Sequence, residues 1–193
     1  MNVSDMTHDD IADHIAHYLK GKGYELAFSN MTDPIQWEQP DVMGMNLYGE
    51  SILCEVKVSR SDFKADANKG FREEGKGTGD YRVYVTPRGL LSPEEIPYGW
   101  MLWEIHGKTK PIVKIIKGRK KVKEPHPDYS WSATVHKYLN TTEEEYKYFV
   151  QKDKNYRTEY QWLHKIVRRA EEDGIDMNLY AKGEQARKKY LPS

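Results

Sequence analysis

The chain of 193 residues carries 30 basic and 30 acidic side chains, a formal net charge of zero, with 38% hydrophobic and 31% charged residues. That length suits one domain, or one domain with an appendage, and a polar composition without any span-length apolar run argues against a membrane protein. A single cysteine excludes an internal disulfide and, with no signal-peptide pattern, gives the expectation of a cytoplasmic protein.

Neutrality overall argues against a generic nucleic-acid-coating protein, yet the charge is unevenly placed. Residues 1–56 hold ten Asp or Glu against two Lys, and residues 107–124 hold eight Lys or Arg against one Glu. An acidic stretch apart from a basic one fits phosphate binding beside a carboxylate metal site, and fits equally a solvated basic hairpin.

Thr7-His8-Asp9-Asp10 has the form of a capping box, and Ile11, Ile15, Tyr18 and Leu19 follow at helical spacing until Gly21 and Gly23. His14 and His17 share a side of this helix, but a histidine pair alone is more often surface or core than metal ligand. A first strand is predicted over 24–29 and a loop over 31–39. Then comes the stretch 40–57, read as a β-hairpin. Asn46-Leu47-Tyr48-Gly49 places Asn at the first position of a type I turn and Gly at the fourth, the chemistry of a three-residue hairpin loop.

That loop sets the register. With Leu47, Tyr48 and Gly49 in the loop, Asn46 lies opposite Glu50 and Asp41 opposite Glu55, and opposed residues share a face. Lys57, two residues past Glu55, points the same way. A two-residue loop at Gly49-Glu50 would send Asp41 to the other face. The remaining face, Val42, Ile52, Cys54, Val56 and Val58, is apolar and suited to packing under a helix, which makes Cys54 an inert core thiol. Two adjacent carboxylates repel unless a cation sits between them, and their hard oxygens suit Mg²⁺ or Mn²⁺. A lysine beside such an ion can hold or activate a water for attack on phosphorus. The bland alternative is an exposed strand edge with a solvated ion pair.

A helix is predicted from Ser61 to about Phe71 with Phe63 and Ala67 inward, which sets Arg60, Lys64, Lys69 and Arg72 to meet phosphates or merely solvent. The stretch 70–78 nearly spells a P-loop, but Gly77 stands where a hydroxyl must hold Mg²⁺ and the stretch follows a helix, so nucleotide binding is rejected. Strands follow over 81–86 and 99–105, and a last one over 112–116 opens the basic segment 117–123. Strands alternating with helices around a hairpin predict an α/β sheet covered on both faces. The Pro-rich stretch 124–128 reads as a linker, and from about Trp131 a helical pattern is expected. It includes a second capping box at Thr142-Glu143-Glu144-Glu145 and an apolar stripe of Tyr156, Tyr160, Leu163, Val167 and Ala170.

Pro40-Asp41, the hairpin and Glu55-Val56-Lys57 resemble the signature of the PD-(D/E)XK nuclease superfamily. The continuation through Ser59-Arg60-Ser61-Asp62-Phe63 and Asp80-Tyr81-Arg82-Val83-Tyr84 is similar to its MmcB-like DNA repair branch, over roughly residues 8–106. The resemblance implies a restriction-endonuclease-like core in αβββαβ order, taken to span 1–124; the helical extension over 125–193 is expected from its residue pattern, a region the resemblance does not reach. It implies a Mg²⁺- or Mn²⁺-dependent nuclease with Asp41, Glu55 and the Val56 carbonyl as metal ligands and Lys57 as the water-positioning base. A further acid from the first helix or strand is added in some members, and Asp13, Glu25 and Glu38 are all candidates. The substrate is expected to be nucleic acid, DNA before RNA, in a repair, recombination or phage-type role. Arg60, Lys64, Lys69, Arg72, Lys117, Arg119, Lys120 and Lys121 are expected on its backbone. Many nucleases of this kind need two active sites to cut both strands, which leaves a homodimer open. The alternative function is a catalytically silent DNA-binding or adaptor module on the same fold.

Overall fold

The structure, a computed structural model, describes residues 3–32, 38–66, 77–125, 132–151 and 153–177. Among these, α1 spans His8–Lys20, and three strands follow: β1 Leu26–Ser29, β2 Val42–Met45 and β3 Ser51–Val56. Helix α2, Arg60–Asp66, leads to β4 Tyr81–Pro87, β5 Met101–His106, β6 Ile112–Pro125, β7 Ser132–Leu139 and finally α3 Tyr156–Glu172. The strands form one mixed sheet in the order β1-β2-β3-β4-β5-β6-β7, parallel at β3–β4 and β4–β5 and antiparallel elsewhere.

The expected α/β class therefore holds, and its covering follows from connectivity. Both parallel connections step the same way across the sheet, so right-handed crossovers put both on one face. There Phe63 of α2 and Leu91, Ile96 and Trp100 of the β4–β5 connection pack on Leu53, Tyr84 and Leu102. The opposite face is left to α1, whose Ile11, Ile15 and Leu19 pack on Val42, Ile52, Cys54 and Val56. The stripe under α1 is thus the apolar hairpin face expected above, except that Val58 lies past the end of β3 and is exposed. Each such buried aliphatic side chain contributes about 1.5–3 kcal/mol. Helix α1 begins as its sequence dictates: Thr7 Oγ1 accepts from the Asp10 N–H while Asp10 accepts from the Thr7 N–H.

The C-terminal third departs from expectation. Ser132–Leu139 is a strand, not the start of a helical region, and β6 runs on to Pro125 to pair with it. The compact unit containing the sheet accordingly extends over Met1–Asn155, past the expected boundary at 124, and Tyr156–Ser193 forms a second unit. The second capping box opens only a short 3₁₀ turn, Glu145–Tyr148. In α3 the Tyr-rich stripe is not a buried face: Tyr156 and Tyr160 are 64% and 68% exposed, and the buried residues are Glu159 and Trp162. Tyrosine counts as apolar in a periodicity reading, but its hydroxyl lets it stay at the surface. Of the linker predicted over 124–128, Glu124 and Pro125 are instead the end of β6, and 126–128 lie outside the described residues, as do Ala67, Lys69 and Arg72.

Candidate active site

The hairpin turn is built as its residues require. The Asn46 N–H donates to the Glu50 carbonyl at 3.0 Å, the Gly49 N–H to the Asn46 carbonyl at 3.2 Å, and Gly49 takes φ +81°. Asn46 Oδ1 accepts from the Tyr48 and Glu50 N–H groups, both at 3.0 Å. The pairs Met45↔Ser51 to Val42↔Cys54 follow, so the next position along sets Asp41 opposite Glu55. The register expected from the turn is the register observed.

Glu55 and Lys57 are both buried, and the Lys57 Nζ lies 3.3 Å from Glu55 Oε2 and 3.3 Å from Asp66 Oδ1, with Asp62 Oδ1 at 3.9 Å. Asp66 is fixed in turn by the Tyr84 hydroxyl, which donates to its Oδ2 at 2.8 Å. Tyr84 is clamped by the stacked Trp100 ring at 4.6 Å and the edge-on Phe63 ring at 5.1 Å. Burial alone would lower the Lys57 pKa, but Glu55, Asp66, Asp41 and Asp62 outweigh it and hold the amine above its ordinary value. Lys57 is therefore an ammonium at neutral pH.

Asp41 sits at the strand end. Its Oδ2 accepts from the Val56 N–H at 2.7 Å and lies 3.2 Å from His8 Nε2 on the first turn of α1. Burial lowers the His8 pKa, but the Asp41 and Asp9 carboxylates outweigh it and leave the ring above its ordinary value. Of the three candidate further acids, Asp13 lies nearest this end: its Oδ1 accepts from Ser29 Oγ at 2.5 Å and Asn30 Nδ2 at 3.3 Å, and the Asn30 N–H donates to the Asp41 carbonyl. Glu25 braces the hairpin loop instead, accepting from the Leu47 N–H at 3.2 Å. Glu38 is buried and accepts from the Thr78 N–H at 2.6 Å, ahead of β4. Next to Lys57 across the sheet, Thr86 pairs with Glu104, whose Oε2 lies 2.6 Å from His106 Nε2. Cys54 is fully buried beneath, and burial pushes its thiol well up.

Sequence reading missed three of these partners, His8, Asp62 and Asp66. Asp62 and Asp66 stand four apart, one helical turn, in a segment that must fold back over β3, which is the signal that places both toward Lys57. His8 carries no such signal, because its contact depends on how α1 lies on the sheet.

The donor set suits a hard divalent ion, since Mg²⁺ is commonly held by one or two carboxylates with the rest of its shell in water and substrate phosphate. Asp41 and Glu55 can supply that pair. Among the described residues no group of three or more His, Cys, Asp or Glu side chains is arranged to hold a metal ion.

The expected phosphate contacts fare unevenly. Arg60 is paired with Glu95 and donates to the Leu90 carbonyl at 2.9 Å. Lys64 is exposed on α2. Lys117 is not a surface cation at all: it is buried, 2.7 Å from Glu145 Oε1 and 3.2 Å from the Ile96 carbonyl. Arg119 donates to the Tyr81 hydroxyl at 2.5 Å, and Lys120 and Lys121 are exposed.

Among the described residues no helix is long and apolar enough to cross a membrane. No protein-family model and no curated protein matches the chain. A solved structure, the SPO1766 protein of unknown function from Silicibacter pomeroyi, is similar over 86% of this chain and 95% of that one, at 21% identity and a TM-score of 0.45.

Proposed function

We propose that the chain is a metal-dependent nuclease with a restriction-endonuclease-like core of the PD-(D/E)XK kind, hydrolysing DNA phosphodiester bonds in a repair, recombination or phage-type setting. One observation carries this reading: the Lys57 ammonium is fixed between Glu55 and Asp66 at the end of a buried strand, and the register of β2 on β3, continued one position beyond Val42↔Cys54, brings Asp41 beside Glu55, with Asp41 Oδ2 on the Val56 N–H. Asp41, Glu55 and the Val56 carbonyl are the groups to hold Mg²⁺ or Mn²⁺, which when bound polarises a phosphate and lowers the pKa of a coordinated water. Lys57 supplies a positive hydrogen-bond donor to orient the attacking water and offset charge building on the phosphate oxygens. Asp66 keeps that amine in place, and Tyr84 keeps Asp66 in place. His8 holds the Asp41 carboxylate at the mouth of the site.

The test is cleavage of single-stranded, duplex, flapped and branched DNA, with RNA counterparts, in Mg²⁺ or Mn²⁺. The wild type is expected to cut at least one DNA, and Glu55→Gln and Lys57→Ala to abolish cutting with the circular dichroism unchanged. Purified wild type that cuts nothing, yet binds DNA with or without metal, would assign the chain instead to the silent adaptor class.

A further inference from the structure

Strand β6 is far longer than the sheet needs. It leaves β5 after the pair Leu102↔Lys117, and from Gly118 to Pro125 it pairs with β7 alone, over the eight positions Gly118↔Leu139 to Pro125↔Ser132. At about 3.3 Å per residue this is a two-stranded ribbon about 25 Å long. It departs at a β-bulge beside Leu102/Trp103, and Gly118, at φ +123°, rests so closely on Met101 that a side chain would collide there. Its base is braced: Arg119 bonds the Tyr81 hydroxyl at 2.5 Å and His136 Nε2 at 2.8 Å, and Asn140 Nδ2 donates to the Ile116 carbonyl at 2.7 Å.

The ribbon points away from the carboxylates. Val56 shares its row with Val85, Trp103 and Ile115, so Lys57 lies at the far end of the sheet from residues 119–125. Seven residues along the strand and three strands across put Lys121 about 25 Å from Lys57. The basic segment therefore cannot clamp the phosphate being cut.

Its charge calls for a different explanation. On the two paired strands Arg119, Lys120, Lys121, Lys123 and Lys137 stand with one acid, Glu124, which Lys137 takes up at 2.6 Å, and Glu50 lies close enough to act on His136. Lys120 stands directly opposite Lys137. Like charges opposed across strands destabilise a ribbon, and a two-stranded ribbon has little stability to spare. A polyanion reverses the sign of that term.

We infer that the β6–β7 ribbon is a docking element for B-form duplex DNA, entering the major groove and meeting its phosphates with Lys120, Lys121 and Lys123. A two-stranded ribbon fits a groove about 12 Å wide, whereas the major groove of an RNA duplex is too deep and narrow to admit it. Lysines on either face can swing past the strand edges to the phosphates of both walls. The inference shares with the nuclease reading the nature of the partner and none of its catalytic residues.

The experiment is fluorescence anisotropy in EDTA, with the full chain titrated onto a 20-base-pair DNA duplex, its single strand and the matching RNA duplex across a salt series. Lys120→Gln/Lys121→Gln is expected to bind duplex DNA at least about tenfold more weakly and to lose about 1.8 from the slope of log affinity against log salt. The control Lys20→Gln/Lys22→Gln, on the last turn of α1 and just beyond it, and Glu55→Gln are expected to bind as wild type does. A cooperative thermal transition and an unchanged circular-dichroism spectrum certify the fold of each variant. The inference is overturned if the ribbon variant binds within twofold of wild type with an unchanged slope. It is overturned equally if wild type prefers single strands or RNA, or binds no duplex. Loss of cutting in Glu55→Gln with binding intact tests the nuclease reading separately.

Discussion

At the scale of single residues, the buried ammonium of Lys57 is the most consequential feature. A buried charge is tolerable only when paired and hydrogen-bonded, and Lys57 meets that condition through Glu55 and Asp66. Removing one partner leaves the others mismatched. Asp66→Asn is expected to cost about 3 kcal/mol in urea unfolding, even though its amide oxygen can still accept from Tyr84. Pairing it with Lys57→Met in a double-mutant cycle should reveal a coupling of about 1 kcal/mol or more, and additive costs would show that Asp66 stabilises something other than the amine. If Asp66 positions Lys57 for chemistry, Asp66→Asn also lowers kcat while Asp66→Glu restores part of it. Glu55 and Lys57 were legible in the sequence because strand alternation alone sets them on one face. His8 was not, because a contact between a helix end and a strand end depends on packing that no local pattern encodes.

At the scale of elements, legibility tracked the strength of the local rule. Asn46 and Gly49 specify a loop, and the loop fixes the whole register of β2 on β3. Strand β7 has no comparable signal. Val135 and Lys137 occupy one face and Thr134, His136 and Tyr138 the other, so neither reads as buried and the period-2 alternation of a half-covered strand is missing. A ribbon with two exposed faces hides from periodicity for that reason. Its internal electrostatics give a pH dependence. Burial, with Arg119 and Lys121, pushes the His136 pKa below its ordinary value, and Glu50 opposes them weakly. A folded-state pKa below the unfolded one means the unfolded chain binds more protons below about pH 6.5, so the stability His136 allows at neutral pH is lost as pH falls through that value. Melting temperatures of wild type and His136→Gln, taken from pH 7.5 to 5.5, should converge or cross as the wild type loses ground. A gap that widens in favour of wild type on acidification would contradict the sign.

At the scale of the whole molecule, the sheet has two chemically distinct ends. The C-terminal end of β3 gathers Glu55, Asp62 and Asp66 around one lysine, with Asp41 beside them on His8 and the Val56 N–H, and the basic ribbon leaves from the other end. The acidic and basic stretches of the sequence foreshadowed both, but their separation follows from strand direction: β6 runs antiparallel to β3–β5, so its later residues travel back past the strands' N-terminal ends. Cations that adjoin the carboxylates in a linear reading end up about 25 Å away. The two ends should therefore respond to different ligands. Mn²⁺ at 100 times its dissociation constant is expected to stabilise wild type by about 2.7 kcal/mol, read as a rise in melting temperature. Asp41→Asn and Glu55→Gln are expected to abolish that rise, and Lys120→Gln/Lys121→Gln to keep it in full. Duplex DNA in EDTA should reverse the pattern, stabilising the two carboxylate variants as it does wild type and the ribbon variant clearly less. A ribbon variant that loses its Mn²⁺ response would mean the two ends are not independent, and a wild type indifferent to Mn²⁺ would remove the metal from the site.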